Sequence, residues 1–464
     1  MLTTTIEDGI ATLAIDLPGR SMNVMDWDLA AALDAEVARL AADETITGLI
    51  LTSAKPAFIA GADLAVLQQV AGTAREIAAK VGEMADVFRR IETSGKPVVA
   101  AAPGTALGAG LELMLACHYR IAADAKGAVF GLPEVKLGLF PGVGGTQRLP
   151  RLIGIEAALP LMLEGNALSP AEALAAGILD DVVAPEDLLP AARRALRESR
   201  VSPVAPWDRK GFALPGGAPQ SPRIMDAFSL LNARMQAQTR HLYPAPEAIL
   251  ACVFEGTRLP MDTALRLERK RFGALFAGPQ ARAMIRTLFL TRQKIEKRSR
   301  AEGAKGLLFF SKAKADAAGI EDEALVRALE QVGYARPSPI MPSDGFALYA
   351  SRCMEAFIEE GLALLREGTP SAMIENCARA AGMPYGPLAL ARALGRAVAG
   401  GDGAAPTTPE AVKRRLIRAQ STAAASIIMR LAADHDEADL AAVLGWGFPS
   451  YLGGPLNQME ENRT

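Results

Sequence analysis

The sequence predicts an α/β core followed by an all-helical second half. Short β-branched runs alternate with helical stretches through the first 190 or so residues, residues 201–222 hold five prolines and three glycines, and the apolar spacing beyond about residue 225 is helical. Ile10 to Leu17, Ile46 to Thr52, Lys96 to Ala102 and His118 to Ala122 read as strands. Trp27 to Ala42 reads as a helix with Leu29, Leu33, Val37 and Leu40 on one face. Ser169-Pro170-Ala171-Glu172 is a capping box with proline at the first helical position, so a helix starts there.

In the second half, helical patterns cover Met225 to Met235, Met261 to Phe272, Gln280 to Lys297 and Glu323 to Val332, then residues 346–395 and 410–445. The stretch 336–345 and the Gly/Pro/Thr stretch 399–408 break these runs. The expected division is 1–190, 191–339, 340–398 and 399–464.

Composition narrows the class. A length of 464 residues suits about two to four domains. With 50 basic against 52 acidic residues, the chain as a whole is not a nucleic-acid binder. Cys117, Cys252, Cys353 and Cys377 form no CxxC pair and have no His at ligand spacing, so neither a disulfide framework nor a structural metal site is expected, and a reducing cytoplasm is. The N-terminal MLTTTIEDGI lacks the parts of a signal peptide. The uncharged run Leu440 to Met459 is long enough to span a bilayer, but its glycines, prolines, Asn457 and Gln458 read as packed loops and short helices.

The chemistry concentrates in Ala57 to Leu64 and Lys96 to Gly154. Gly108 and Gly110 bracket Ala109 just after a strand, and Glu112 follows in an apolar helix start, LELMLAC. A strand, a Gly-rich turn and a helix leave free N–H groups that can hold an oxyanion. The turn Phe58-Ile59-Ala60-Gly61-Ala62-Asp63 has the same character, and two such donors meeting at one thioester oxygen would make an oxyanion hole. Enolate chemistry also needs an acid/base near the reacting carbons; Glu112 and Glu134, the latter in the turn GLPEVKLG, are the candidates. His118, His241 and His435 are scattered and read as structural or surface residues.

The segments "AFIAGADL", "KPVVAAAPGTALGAGLELMLACHYRIA", "FGLPEVKLGLFPGVGGTQRLPRLIG" and "SPAEALAAGILDDVV" resemble, in order, the crotonase or enoyl-CoA hydratase/isomerase superfamily. The resemblance implies a spiral of ββα turns, catalytic glutamates at Glu112 and Glu134, and an oxyanion hole and substrate-binding set of Ala62, Ala109, Ala60 and Gly108. It implies an acyl-CoA substrate and no metal or redox cofactor. Pro103 stands where the family usually has Asn and Ala109 where it usually has Gly. The spacing between the two glutamates is slightly long, and the turn Asp124 to Gly127 is where the extra residues are expected.

The rest resembles the fatty-acid-oxidation multifunctional enzymes without their NAD-binding domain. "ALFAGPQARAMIRTLFLTRQKIEK" looks like the linker helix, and "GMPYGPLALARALG" and "DEADLAAVLGWGFPSYLGGPL" look like the two helical 3-hydroxyacyl-CoA dehydrogenase C-terminal domains. The GxG pairs at 108/110, 142/144, 401/403 and 445/447 are followed at the sixth position by Leu113, Gln147, Pro406 and Ser450, so none is a dinucleotide fingerprint. Too few residues separate Lys297 from Gly345 for a nucleotide-binding domain, and Ser351 replaces the family's catalytic Asn. The basic stretch Arg292 to Arg300 reads as a solvated helix face, with a contact to CoA phosphates as its rival. The expected function is hydration of trans-2-enoyl-CoA, without dehydrogenase activity or NAD. The alternatives are Δ3-Δ2-enoyl-CoA isomerisation and a non-catalytic acyl-CoA-binding or assembly subunit, with a thiolase as the partner the resemblance suggests.

Overall fold

The computed structural model describes residues 1–311, 321–399, 408–431 and 434–461. It divides into two compact units, Met1–Gly278 and Pro279–Thr464. Most of the break at 399–408 lies outside the described residues.

The first unit opens on a hairpin. β1 (Leu2–Glu7) pairs antiparallel with β2 (Ile10–Ile15) in the register Glu7↔Ile10. Asp8 and Gly9 both have positive φ, 50° and 75°, which matches the twist of the flanking strands as Asp-Gly hairpin turns do. From there β3 (Gly48–Ser53), β5 (Val98–Ala102), β7 (Tyr119–Ala123) and β10 (Asp181–Val183) add in parallel, giving a six-stranded sheet in the order β1-β2-β3-β5-β7-β10. Four two-residue strands, β4 (Ile59–Ala60), β6 (Ala106–Leu107), β8 (Phe130–Gly131) and β9 (Ala167–Leu168), form a second sheet in the order β4-β6-β8-β9.

The chain thus alternates between the sheets. β3 and β4 lead to the helix Ala74–Glu92, β5 and β6 to Ala109–Leu115, and β7 and β8, after a short 3-10 turn, to Gly145–Ile153. This is the ββα spiral expected of a crotonase-type domain. The central strands are apolar on both faces because both are covered: Val98 to Ala102 are all fully buried. The helix Trp27–Ala42 spans the expected residues and buries Leu29, Leu33, Val37 and Leu40. The Ser169–Glu172 capping box opens a helix over Pro170–Ala175. The turn Asp124 to Gly127 is a largely exposed excursion between β7 and β8, where insertion leaves the strand ends in place.

Helices Pro244–Gly256 and Met261–Phe276 complete the first unit. The second lies against Ala74–Glu92 so closely that a Cβ on Gly273 would sit 2.1 Å from the Ala74 carbonyl oxygen. Phe272 packs edge-on against buried Phe140, with centroids 5.4 Å apart.

The second unit is mostly helical. Its first helical run, Pro279 to Ala301, contains a π-helical stretch over Ile285–Thr291. The long helix Asp344–Arg366 and the helices Ser371–Ala380, Pro387–Ala393, Pro409–Leu431 and His435–Trp446 follow. One hydrophobic cluster joins them, with Phe346, Tyr349, Phe357, Tyr385 and Trp446 buried at its centre. Trp446 donates its indole N–H to Gln420 at 3.0 Å, and the Tyr385 hydroxyl donates to the Trp446 carbonyl at 2.6 Å. Within the basic stretch, Arg292 pairs with Glu296 and Arg298 with Glu437 at 2.8 and 2.6 Å. The run Leu440 to Met459 is the end of one helix, a 3-10 turn and part of a short helix. Among the described residues no helix is long and apolar enough to cross a membrane.

Candidate active site

Three parallel strands of the small sheet, β4, β6 and β8, end side by side, and each leads into expected site residues. β4 runs into Gly61 and Ala62, β6 into Gly108 and Ala109, and β8 into Leu132, Pro133 and Glu134. The juxtaposition is tight. A Cβ on Gly108 would lie 3.6 Å from the Gly61 Cα and 3.0 Å from Glu134 Oε1.

Ala62 sits in a parallel bridge with Met25. Its neighbours make the bridge bonds: Met25 N–H donates to the Gly61 carbonyl and Asp63 N–H to the Met25 carbonyl, both at 2.8 Å. Extended backbone alternates, so the Ala62 N–H faces away from Met25, and no acceptor among the described residues receives it. Asp63 accepts from the Ala65 and Val66 N–H groups, capping the next short helix and fixing the turn. Ala109 is the first residue of its helix, where N–H groups have no intrahelical partner; its N–H likewise meets no acceptor among the described residues. Gly108 reaches φ 51° and ψ −127° to make the turn, and donates to the Gly131 carbonyl at 2.9 Å. The Ala60 N–H is already used, donating to the Asn23 carbonyl at 2.8 Å.

Glu112 is 2% exposed. Its Oε1 accepts from the N–H groups of Val143 and Gly145 at 2.9 and 2.7 Å. Burial pushes its pKa up to about 7, against the pull of those two amides and of Arg148. Glu134 sits at the start of the 3-10 turn Glu134–Leu137. Although the residue as a whole is half-buried, its Oε2 is shut off from solvent and has no hydrogen-bond partner among the described residues. Burial first, then the nearby charges of Glu112 and Glu268, raise its pKa well above the usual carboxylate range. The two glutamates expected from the sequence therefore feel one another's charge.

Several residues of the site escape the sequence reading. Glu268, in the helix Met261–Phe276, is fully buried and accepts from Gly144 N–H at 2.6 Å, Thr146 N–H at 3.1 Å and the Thr146 hydroxyl. A signal for it exists: Met261, Ala264, Leu265, Phe272, Leu275 and Phe276 form the apolar stripe of that helix, and Glu268 stands in its middle. Arg148, fully buried, pairs with Glu92 at 2.9 Å and donates to the Val143 carbonyl at 3.0 Å, while the Trp207 indole donates to Glu92 at 3.1 Å. Asn23, also fully buried, holds the β4 turn through donations to Ile15, Ser53 and Phe58. His118 is structural in geometry: its Nδ1 accepts from Val98 N–H and its Nε2 meets the Glu92 carbonyl at 3.0 Å. Among the described residues no cluster of His, Cys, Asp and Glu is arranged to hold a metal.

Residues 5–205 match the family described as enoyl-CoA hydratase/isomerase. The fatty acid oxidation complex subunit alpha of Shewanella amazonensis is 40% identical over 304 residues, which are 64% of this chain and 42% of that protein. Its counterpart in Shewanella sp. strain MR-4 is 38% identical over 302 residues, with the same coverage. The match therefore spans about two fifths of the length of these curated relatives. A solved structure, the human mitochondrial delta3-delta2-enoyl-CoA isomerase, is 23% identical, covers 64% of this chain and 99% of that one, and superposes with a TM-score of 0.46.

Proposed function

We propose that this chain, a member of the enoyl-CoA hydratase/isomerase family through residues 5–205, adds water across the double bond of a trans-2-enoyl-CoA in fatty acid oxidation. The observation that carries this reading is that the Glu134 carboxylate lies beside the Gly108–Ala109 turn, with Glu112 on the helix that follows it and two unclaimed amides, Ala62 and Ala109, at the same strand ends.

The thioester oxygen accepts from the Ala62 and Ala109 N–H groups, which stabilise the charge that develops there as an enolate forms. Glu112 takes a proton from water as the oxygen bonds to the β-carbon and the C=C π bond breaks. Glu134, kept protonated by burial and by its neighbours, gives its proton to the α-carbon. One water is consumed, and the proton gained by Glu112 restores that lost by Glu134. Isomerisation of a 3-enoyl-CoA needs only one carboxylate to move a proton; the second, anchored at Glu112 by two amides, favours hydration.

The relatives' name, subunit alpha of a fatty acid oxidation complex, supports an assembly with another subunit, of which a thiolase is the candidate. Neither NAD binding nor dehydrogenase activity belongs to this reading, since the chain has no dinucleotide fingerprint and Ser351 stands at the catalytic Asn position. A cytoplasmic location goes with it. The test is to give Glu112→Gln both substrate types and resolve the products by chromatography. Loss of 3-hydroxyacyl-CoA formation is expected. Undiminished hydration by this variant would refute the assignment.

A further inference from the structure

The loop Val143–Thr146 is held from two sides. Glu112 takes the N–H groups of Val143 and Gly145; Glu268 takes those of Gly144 and Thr146 and the Thr146 hydroxyl. Successive amides of the loop therefore point alternately at two carboxylates from distant parts of the chain. Neither set of donors is replaceable by water, because Glu112 and Glu268 are 2% and 0% exposed.

The helix carrying Glu268 is itself fixed. Gly273 lets it approach Ala74 and Ala78, and Phe272 fills the space beside Phe140 and against Gly142, where an added Cβ would meet the ring at 2.4 Å. Arg89, from the helix Ala74–Glu92, pairs with Asp262 at 2.8 Å. Glu268 thus reaches the loop from a rigid support that lies outside residues 5–205.

Resting on the hydratase reading above, we propose that Glu268 is a positioning residue of the reaction: by holding Gly144 and Thr146 it fixes the loop whose other amides aim the Glu112 carboxylate. The helix Met261–Phe276 is then a working part of the site and not only a cover for the domain.

Glu268 also shares its charge environment with the reacting groups. The titratable and charged side chains that bear on it are Glu112 from the helix Ala109–Leu115, Glu134 from the 3-10 turn, Arg148 and Arg151 from the helix Gly145–Ile153, and Cys252 from the helix Pro244–Gly256. With its own pKa raised to about 8, above the value of about 7 at Glu112, Glu268 is largely protonated while Glu112 ionises, so a neutral amide in its place acts on Glu112 through the loop and not through a lost charge. It also sets an NH2 group against a loop N–H.

The test uses the full chain as Glu268→Gln, with enoyl-CoA hydration followed across pH. The expected result is a fall of about 10- to 100-fold in kcat, of the size that small misplacements of catalytic groups produce, with KM changed less than about threefold. The acidic limb of the pH profile should move upward from about 7, because the loop amides that stabilise the ionised Glu112 carboxylate are displaced. Thr146→Val, which deletes the hydroxyl that donates to Glu268 and accepts from the Gln147 amide at 2.8 Å, should show the same changes in weaker form, and Thr146→Ser, which keeps the hydroxyl, should behave as the parent; this pair decides the matter if Glu268→Gln fails to fold. A folded Glu268→Gln whose kcat stays within about twofold of the parent, with an unmoved acidic limb, would overturn the proposal. Infrared titration of Glu112, isolated by subtracting spectra of Glu112→Gln, needs no turnover. It should shift in Glu268→Gln even if the parent fails to hydrate enoyl-CoA, an outcome that would overturn the hydratase reading alone; an unshifted titration would overturn the role of Glu268.

Discussion

The Gly145 N–H donates to Glu112 Oε1 at 2.7 Å, and a Cβ built on Gly145 would stand 2.8 Å from that same oxygen. The bond that aims the carboxylate and the space that the carboxylate occupies both belong to one glycine. A Cβ there would also meet Pro141 at 2.6 Å. Gly145→Ala should therefore displace the Glu112 carboxylate, and hydration should fall by about 10²-fold, as expected for a misplaced catalytic group. Steady-state kinetics with a folded variant checks this; an unchanged kcat would mean that the carboxylate's position does not matter to turnover.

Glu112→Gln and Glu134→Gln should each lower kcat by about 10²- to 10⁴-fold, the usual contribution of a general acid or base. Thermal melting should show both variants folded, because the amide keeps the shape of each side chain. The double variant should be little worse than either single one, since the two groups act as a unit.

Four strands of the large sheet and the turns that carry Glu112 and Glu134 were legible because they depend on local pattern: β-branched runs, Gly-rich turns and a carboxylate in an apolar helix start. The partners that hold them were not. Glu268 bonds to Gly144 and Thr146 across more than a hundred residues of sequence, and Arg148 finds Glu92 only once two helices are packed together. β1 escapes because Leu2–Glu7 carries three threonines and lies at an exposed sheet edge, so apolar alternation is weak. The helix Ala74–Glu92 escapes too, although Thr73 and Glu76 form a capping box at its start. The strands read as beginning at Ile46 and Lys96 start at Gly48 and Val98, since the turns before them use the same residue types.

The pH dependence follows from which form of each group works. The water-activating Glu112 must be ionised, and burial places its pKa at about 7; Glu134 must be protonated, and burial with neighbouring carboxylates raises its pKa well above the usual range. Hydration should rise as pH climbs through about 7 and fall again as Glu134 loses its proton, with the two limbs belonging to the coupled pair. A kcat/KM profile flat from about pH 5 to 9 would exclude this assignment.

Stability should move the other way over part of that range. Glu112 and Glu268 have folded pKa values of about 7 and 8, raised above the ordinary 4.5 chiefly by burial. The folded chain therefore holds more protons than the unfolded one between those limits, and the contribution is full below about 4.5 and lost as pH rises through 7 to 8. Denaturant melts should give a lower midpoint at pH 8 than at pH 6 for the parent, with a smaller difference in Glu268→Gln. Breaking the buried Arg148–Glu92 pair by Arg148→Ala should cost about 3–5 kcal/mol, read from the same melts.

The oxyanion hole is tested at Ala109, which is the first residue of its helix and so a position where proline fits the backbone. Ala109→Pro deletes one of the two N–H donors. The expected loss is about 3–4 kcal/mol of transition-state stabilisation, seen in kcat more than in KM. A folded proline variant of full activity would remove Ala109 from the site.

The central claim is that the chain hydrates enoyl-CoA with Glu112 and Glu134. Adding pure protein to crotonyl-CoA, and separately to a longer trans-2-enoyl-CoA, and following the absorbance of the conjugated thioester tests it most directly. The account predicts a steady loss of that absorbance with at least one of the two substrates, abolished in both glutamine variants. No loss with either substrate, or an equal loss with the variants, would contradict it.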